Sequence, residues 1–342
     1  MKLKNNMKKK NMVLSENKIR PDVFSKKQEK LYQEDVEDLL KHKRRFVKVG
    51  CPACGKTDNK KWGTKYTLNY VACDNCGTVF INPRPTPEIL SEYYKNSKNY
   101  VFWNKFIFPR SEKARIENIF KPRVNIIKEL CLKNNIDHEV LVEVGAGFGT
   151  FCGEMKKAGL FKRIIAIEPT PDLAATCRKR GLEGIEKRIE DVKLNIPIDV
   201  VASFEVIEHL FSPKDFLVDC AHSLKKGGAI ILSCPNIQGF DLVMLRELSK
   251  SIDAEHLNYF NPNSLKHLLE QCGFKIIETL TPGRLDAELV RKAVIAGKFD
   301  ISKHSFLKQV LIDEWERLGD PFQQFLSDNL LSSHLLIIAK KI

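Results

Sequence analysis

The sequence predicts an α/β protein, a doubly wound and mostly parallel sheet of seven strands, preceded by a small cysteine-clamped ribbon. Two observations carry this expectation. From Val140 onward, apolar strand-like runs alternate with helical spacing at the pitch of βαβ units. Ahead of them, Cys51-Pro-Ala-Cys54-Gly55 and Cys73-Asp-Asn-Cys76-Gly77 repeat one unit with 18 residues between them.

The bulk numbers suit such a protein. With 342 residues, 43% hydrophobic and 29% charged, the chain is long enough to bury a core in one large domain and a smaller attachment. It holds no apolar run of the roughly 18 residues that a membrane span needs. Met1–Lys10 is basic without a following apolar stretch, unlike a secretory leader, so a cytoplasmic location is expected. The net charge of +13 is concentrated early, with 15 Lys/Arg against 7 Asp/Glu in residues 1–50. Such an arm can attract nucleic acid or an acidic membrane, or be a solvated tail before a charged helix near Gln28–His42. The expected division is an arm and helix (1–46), the ribbon (47–82), a linker with helices (83–133) and the large domain (134–342), with a helical insertion at about 285–331.

Four cysteines in two C-x-x-C-G knuckles suit tetrahedral zinc, which takes soft ligands at about 2.3 Å. Each following glycine permits the positive φ at which the chain swings round the metal. Lys60–Ala72 has the alternation of a hairpin between the knuckles. Cys51, Cys54, Cys73 and Cys76 fill every ligand position, so the zinc is expected to be structural. The other six cysteines lie scattered in apolar stretches and read as core residues.

Three prolines in Asn82-Pro-Arg84-Pro-Thr-Pro87 predict an extended exit and then a short helix over Glu88–Tyr94. Tyr93, Tyr94, Tyr100, Phe102, Trp103, Phe106 and Phe108 follow, as packing between modules or as a lid. Apolar spacing predicts a helix over Arg110–Leu132, kinked at Pro122.

The large domain opens with Val140-Leu-Val-Glu143-Val-Gly145-Ala-Gly147-Phe-Gly149, a buried strand running into a glycine turn. Bare backbone there lets amides approach a ligand that side chains would block. Glu143 stands two residues before the first glycine. The second strand, Arg163–Ile167, ends in Glu168, whose carboxylate can accept both ribose hydroxyls of an adenosine. Ile189-Glu190-Asp191 is placed at the end of a third strand, where a polar side chain such as Asp191 can meet adenine. Further strands are expected at Ile198–Ser203, Ala229–Ser233, Lys275–Thr279 and Leu335–Ala339.

The segments VLVEVGAGFGTF, IIAIEPT, DVVASFEVIEHL and LKKGGAIILSCPN, in this order, resemble the successive motifs of the class I S-adenosylmethionine-dependent methyltransferases, a Rossmann-like fold. With the ribbon, NPRPTPE and AEHLNYFNPNSLKHLLEQCGF included, residues 47–342 are most similar to the ubiquinone-methyltransferase-like subgroup that carries an N-terminal zinc ribbon. The resemblance implies Gly145, Gly147 and Gly149 as the loop at the methionine end of S-adenosylmethionine. It implies Glu168 as the ribose clamp, and the backbone at Phe204 and Glu205 as the flank of the sulfonium. No Gly-Asp pair precedes Glu190-Asp191, a departure from the family pattern. Bacterial members of the subgroup often accompany polysaccharide genes, which implies a sugar or glycan precursor as methyl acceptor.

The transferred methyl is already activated, so an enzyme chiefly aligns the acceptor and removes its proton. His256, in Asp253-Ala-Glu-His256-Leu-Asn-Tyr259, is the expected base, with His209 second and Tyr259 as a pocket residue. Arg284 and Asp286 are expected either to close the site or to form a local link. Two other functions fit the residues: an RNA methyltransferase gripping phosphates with ribbon and arm, and a non-catalytic binding protein on the same fold.

Overall fold

Two sheets organise the chain in the computed structural model, which describes residues 16–188, 191–192 and 196–342. The strands are β1 (Asn59–Lys65), β2 (Leu68–Cys73), β3 (Val79–Ile81), β4 (Val140–Val144), β5 (Arg163–Ile167), β6 (Glu183–Ile185), β7 (Ile198–Phe204), β8 (Leu224–Pro235), β9 (Asn258–Tyr259), β10 (Phe274–Leu280) and β11 (His334–Lys341). The larger sheet runs β10-β11-β8-β7-β4-β5-β6. Its centre is parallel, and β11 alone runs antiparallel to both of its neighbours. The expected seven-stranded, doubly wound sheet is therefore present.

The helices that matter for the site are α1 (Ser25–Lys41), α2 (Pro87–Asn96), α3 (Phe108–Arg115), α4 (Lys121–Asn134), α5 (Thr150–Ala158), α6 (Pro171–Lys179), α7 (Pro213–Ser223), α8 (Phe240–Leu245), α9 (Pro262–Gln271), α10 (Asp286–Ile295) and α11 (Trp315–Asp328). Alternate residues of each central strand serve opposite faces. Val142, Val144 and Val201 pack with Phe216, Leu217, Leu265 and Leu268 of α7 and α9. Leu141, Val200 and Ala202 pack with Ile127, Phe151 and Met155 of α4 and α5. Both faces are covered, which is why these strands read as continuous apolar runs.

The smaller sheet is antiparallel, in the order β1-β2-β3-β9. Tyr66 and Thr67, both at positive φ, form the tight turn of the β1–β2 hairpin. Its fourth strand comes from a segment some 180 residues later in the chain, so ribbon and large domain share one sheet. Tyr70, Val79 and Ile81 bury against Ile252, Leu257 and Tyr259, with Val36 and Leu39 of α1 beside them.

Several boundaries differ from the sequence reading. The third strand is Glu183–Ile185, not a run ending at Asp191. It is a short edge strand that starts two residues after the left-handed Gly181, and its half-exposed residues leave no apolar signal. Ile189 and Glu190 lie outside the described residues. Asp191 is exposed and paired with Arg188 at 3.0 Å. The fifth strand is longer than expected because Leu224-Lys-Lys-Gly-Gly is itself strand, with Gly227 at φ +82°. Pro122 sits in the first turn of α4, behind a wide five-residue turn at Ile116–Phe120 that absorbs the kink. Among the described residues no helix is long and apolar enough to cross a membrane.

Candidate active site

The carboxyl ends of β4 and β5 meet at the glycine turn. Gly145, Gly147 and Gly149 all have positive φ. The amides of Gly145 and Ala146 donate to the Ile167 carbonyl, at 2.9 and 3.1 Å, tying the turn to β5. A Cβ on Gly145 would stand 2.4 Å from Val206, and one on Gly149 2.7 Å from Leu182, whereas Gly147 faces open space. Gly147 is thus the place where a ligand can lie directly on the backbone.

Glu168 is 6% exposed and receives the Gly147 amide at 2.8 Å and the Thr170 amide at 2.9 Å. The clamp candidate and the turn are therefore one hydrogen-bonded unit. Glu143 points beneath it and takes the Cys152 thiol at 3.0 Å. Burial pushes its carboxyl up to about 8, against the pull of the Cys152 bond, so it is a neutral floor near pH 7.

The wall opposite is built by α3 and α4. Phe108 stacks on Phe148 of the glycine turn with ring centroids 3.9 Å apart. Glu112 receives the Thr150 hydroxyl at 2.9 Å. Arg123 lies 4.2 Å above the Phe204 ring, donates to Ser233 Oγ at 3.3 Å and stands 3.6 Å from Glu205. Glu205 follows β7 at φ +58°, a strained turn for a non-glycine residue, and also receives Ser233 Oγ at 2.6 Å. His334, at the start of β11, faces the same carboxylate at 3.4 Å.

A second group of side chains lies beyond β7. His209 and His256 pack edge to face with centroids 4.6 Å apart. His256 Nδ1 lies 3.1 Å from both Asp253 Oδ2 and the Ser251 carbonyl, two acceptors for a proton on Nδ1. His209 Nδ1 meets the Tyr94 hydroxyl at 3.1 Å. Burial, and then His256, lower the His209 pKa well below the usual histidine range, so it is neutral. Asn258 Nδ2 bonds the carbonyls of Ile207, Glu208 and Leu210, pinning the turn that carries His209 against β9.

Glu208 is fully buried, and neither carboxylate oxygen has a hydrogen-bond partner. Burial first, and Glu205 second, hold its pKa well above the usual range. One ligand atom each from Glu208, His209 and His256 falls within a sphere of mutual distances up to 4.8 Å. That donor set suits a divalent cation.

Some expected residues take other places. Tyr259 is fully buried in β9, and its hydroxyl receives the Asp253 amide at 3.0 Å. It braces the loop of His256, and its ring packs edge to face on His256 with centroids 5.8 Å apart. Asp191, outside the turn of β6, points at Arg188. Asp286 is buried and accepts Ser332 Oγ at 2.6 Å and Gln323 Nε2 at 2.8 Å, a local latch for the helical insertion. The aromatic linker wraps the histidine loop: Tyr93 and Tyr100 both donate to Glu255, at 2.7 and 2.8 Å. Arg123, Glu208, Asp253 and His334 were not singled out from the sequence. Of these, Asp253 was the most readable, three residues before His256.

The four cysteine sulfurs also converge. Cys51 and Cys76 Sγ are 3.5 Å apart, as are Cys54 and Cys73 Sγ. Two-thiolate edges of a tetrahedron with 2.3 Å bonds are about 3.8 Å, so the cluster fits zinc with little adjustment.

A glycine turn roofed by aromatic rings, with an acid on its central amide, lies at the carboxyl edge of a doubly wound sheet, the place where such folds bind nucleoside cofactors. Residues 118–279 match the family described as a methyltransferase domain. The chain is 29% identical over 167 residues to a probable S-adenosylmethionine-dependent methyltransferase of Mycolicibacterium smegmatis, covering 48% of this chain and 62% of the relative. It is 33% identical over 104 residues to a ubiquinone biosynthesis O-methyltransferase of Xylella fastidiosa, covering 28% of this chain and 42% of the relative. The chain thus matches about half the length of these relatives. A methyltransferase structure from Thermotoga maritima, described as a possible histamine N-methyltransferase, aligns with a TM-score of 0.45 and 17% identity over 71% of this chain and 99% of its own.

Proposed function

We propose that the chain transfers a methyl group from S-adenosylmethionine to a hydroxyl of a small molecule, with His256 as the base. The observation that carries this reading is the Glu168–Gly147 clamp on the same sheet edge as a histidine whose Nδ1 is held by Asp253. When bound, the cofactor supplies an electrophilic methyl. Gly147 leaves room for its backbone contact, Glu168 takes the ribose hydroxyls, and Arg123 offers a cation to the carboxylate end. His256 Nε2 accepts the acceptor's proton, and the imidazolium is stabilised by Asp253. A sugar or glycan precursor is the acceptor class favoured by the resemblance to the ribbon-bearing subgroup. The ubiquinone O-methyltransferases among the relatives add phenols to the compounds worth testing.

The test is incubation with methyl-labelled S-adenosylmethionine and a panel of nucleotide-sugars and phenols. A small-molecule product heavier by one methyl is expected. Label recovered only in added RNA would sink the small-molecule reading.

One further observation favours a second role for the same histidines. The partnerless, fully buried carboxylate of Glu208 beside His209 and His256 fits a divalent ion that would orient the acceptor oxygen. Manganese is the suitable probe, since the thiolate cluster prefers softer ions. Calorimetric titration should show one manganese site that Glu208→Gln weakens at least tenfold; equal binding by both proteins excludes this role.

A further inference from the structure

The ribbon is joined to the large domain through the segment that carries His256. The knuckle Cys73–Cys76 closes with the Gly77 amide on the Cys73 carbonyl at 2.9 Å, and the Cys73 amide on Thr78 at 2.9 Å. Strand β3 starts at the next residue and pairs with β9, Val79 opposite Tyr259 and Phe80 opposite Asn258. At the end of β3 the Ile81 amide bonds the Leu257 carbonyl at 3.0 Å, adjacent to His256. From β2, the Tyr70 hydroxyl donates to the Asp253 carbonyl at 2.9 Å, and from β1 Lys65 reaches Ser249 at 2.7 Å. Asn261, 2% exposed, donates from Nδ2 to the Cys76 carbonyl at 2.9 Å while its Oδ1 caps α9 through the Ser264 amide.

Among the described residues the glycine turn and Glu168 take no hydrogen bond from the ribbon, which meets β4 and β5 through apolar packing, Cys51, Ala53, Cys73 and Phe80 lying in one core with Val142, Val144, Ile165 and Ile167. Gly145, Ala146, Gly149 and Glu168 bond within residues 145–185. The fold therefore divides its labour: α/β core for the cofactor, ribbon for the acceptor base.

We propose that the four-cysteine zinc site is part of the acceptor half of the active site: a zinc ion on Cys51, Cys54, Cys73 and Cys76 holds the 249–261 segment, and with it the His256–Asp253 pair, while the cofactor cleft stands without it. The physical ground is the size of the pieces. Strand β3 has three residues and β9 two, too short to persist unless something fixes the knuckle beside them. In a ribbon with so little core, metal binding supplies much of the folding free energy. Losing the ion frees β3, and β9 then loses the one strand that pairs with it among the described residues.

This inference rests on the methyltransferase reading only for the meaning of the cleft, and its test separates the two. The full chain is assayed for bound zinc, stripped with a chelator, and followed by amide hydrogen exchange and by titration with S-adenosylmethionine. Exchange across 253–260 should accelerate at least tenfold. Exchange across 140–168 should stay within twofold and cofactor affinity within threefold, and added zinc should reverse the change. Asn261→Asp, which keeps the helix cap but loses the donor to Cys76, should accelerate 253–260 with the metal still bound. Unchanged exchange at 253–260 after stripping overturns the proposal. So does equal acceleration at 140–168 with loss of cofactor binding, or a purified chain that binds no zinc. Failure of the untreated protein to bind S-adenosylmethionine would instead remove the methyltransferase reading, and the exchange pattern would still decide this one.

Discussion

Replacing Glu168 with alanine is expected to raise the dissociation constant for S-adenosylmethionine by about 100-fold or more, read by calorimetric titration. The carboxylate is almost fully buried, and its two oxygens hold the Gly147 and Thr170 amides. A ribose diol arriving at this edge finds a fixed anionic acceptor with spare lone pairs. Hydrogen bonds to a charged group contribute about 1.5–3 kcal/mol each, so losing two removes roughly 3 kcal/mol or more, which is the stated factor. Glu168→Gln keeps one acceptor oxygen and should lose only about tenfold. The order of the two variants is itself informative, because a purely structural role would make the alanine protein unstable without grading affinity. A dissociation constant within threefold of the parent in a folded Glu168→Ala protein would show that the ribose lies elsewhere.

Much of the cofactor half was legible because it is local. The strand, the glycine turn and the next strand's terminal acid fall within 30 residues, and each leaves its mark as an apolar run, a bare backbone or a charge at the end of a buried segment. The cysteine quartet was readable for the same reason, since a knuckle is a four-residue object. The edge strand β6 was not, because Glu183-Gly-Ile is neither alternating nor buried. The acceptor half is assembled across long separations. Tyr94 meets His209 over 115 residues, and Arg123 meets Ser233 over 110. No periodicity records such a contact. Tyr259 illustrates the converse: its ring packs on His256 with centroids 5.8 Å apart, yet the antiparallel pairing with Val79 buries it fully in the core. The motif located the loop, and the sheet decided which of its side chains face the cleft.

His256→Ala is expected to lower kcat by about 100- to 10,000-fold, the range for removing a positioned general base, and to leave S-adenosylmethionine affinity within threefold. The separation of effects follows from geometry. His256 bonds to Asp253 and Ser251 and packs on His209, whereas the proposed cofactor contacts run through Gly147 and Glu168. Asp253→Asn keeps the acceptor that the Glu255 and His256 amides use but removes the charge facing Nδ1, so it should cost less, about 10- to 100-fold. A base and a metal ligand make different demands on this ring. If His256 holds a proton, Glu208→Gln should leave most of the rate in metal-free buffer. If it holds an ion, His256→Ala and Glu208→Gln should fall together, with manganese restoring part of either. A loss smaller than threefold in His256→Ala would remove the histidine from both roles and move the search to the other acid–histidine pair on this sheet edge, Glu205 and His334.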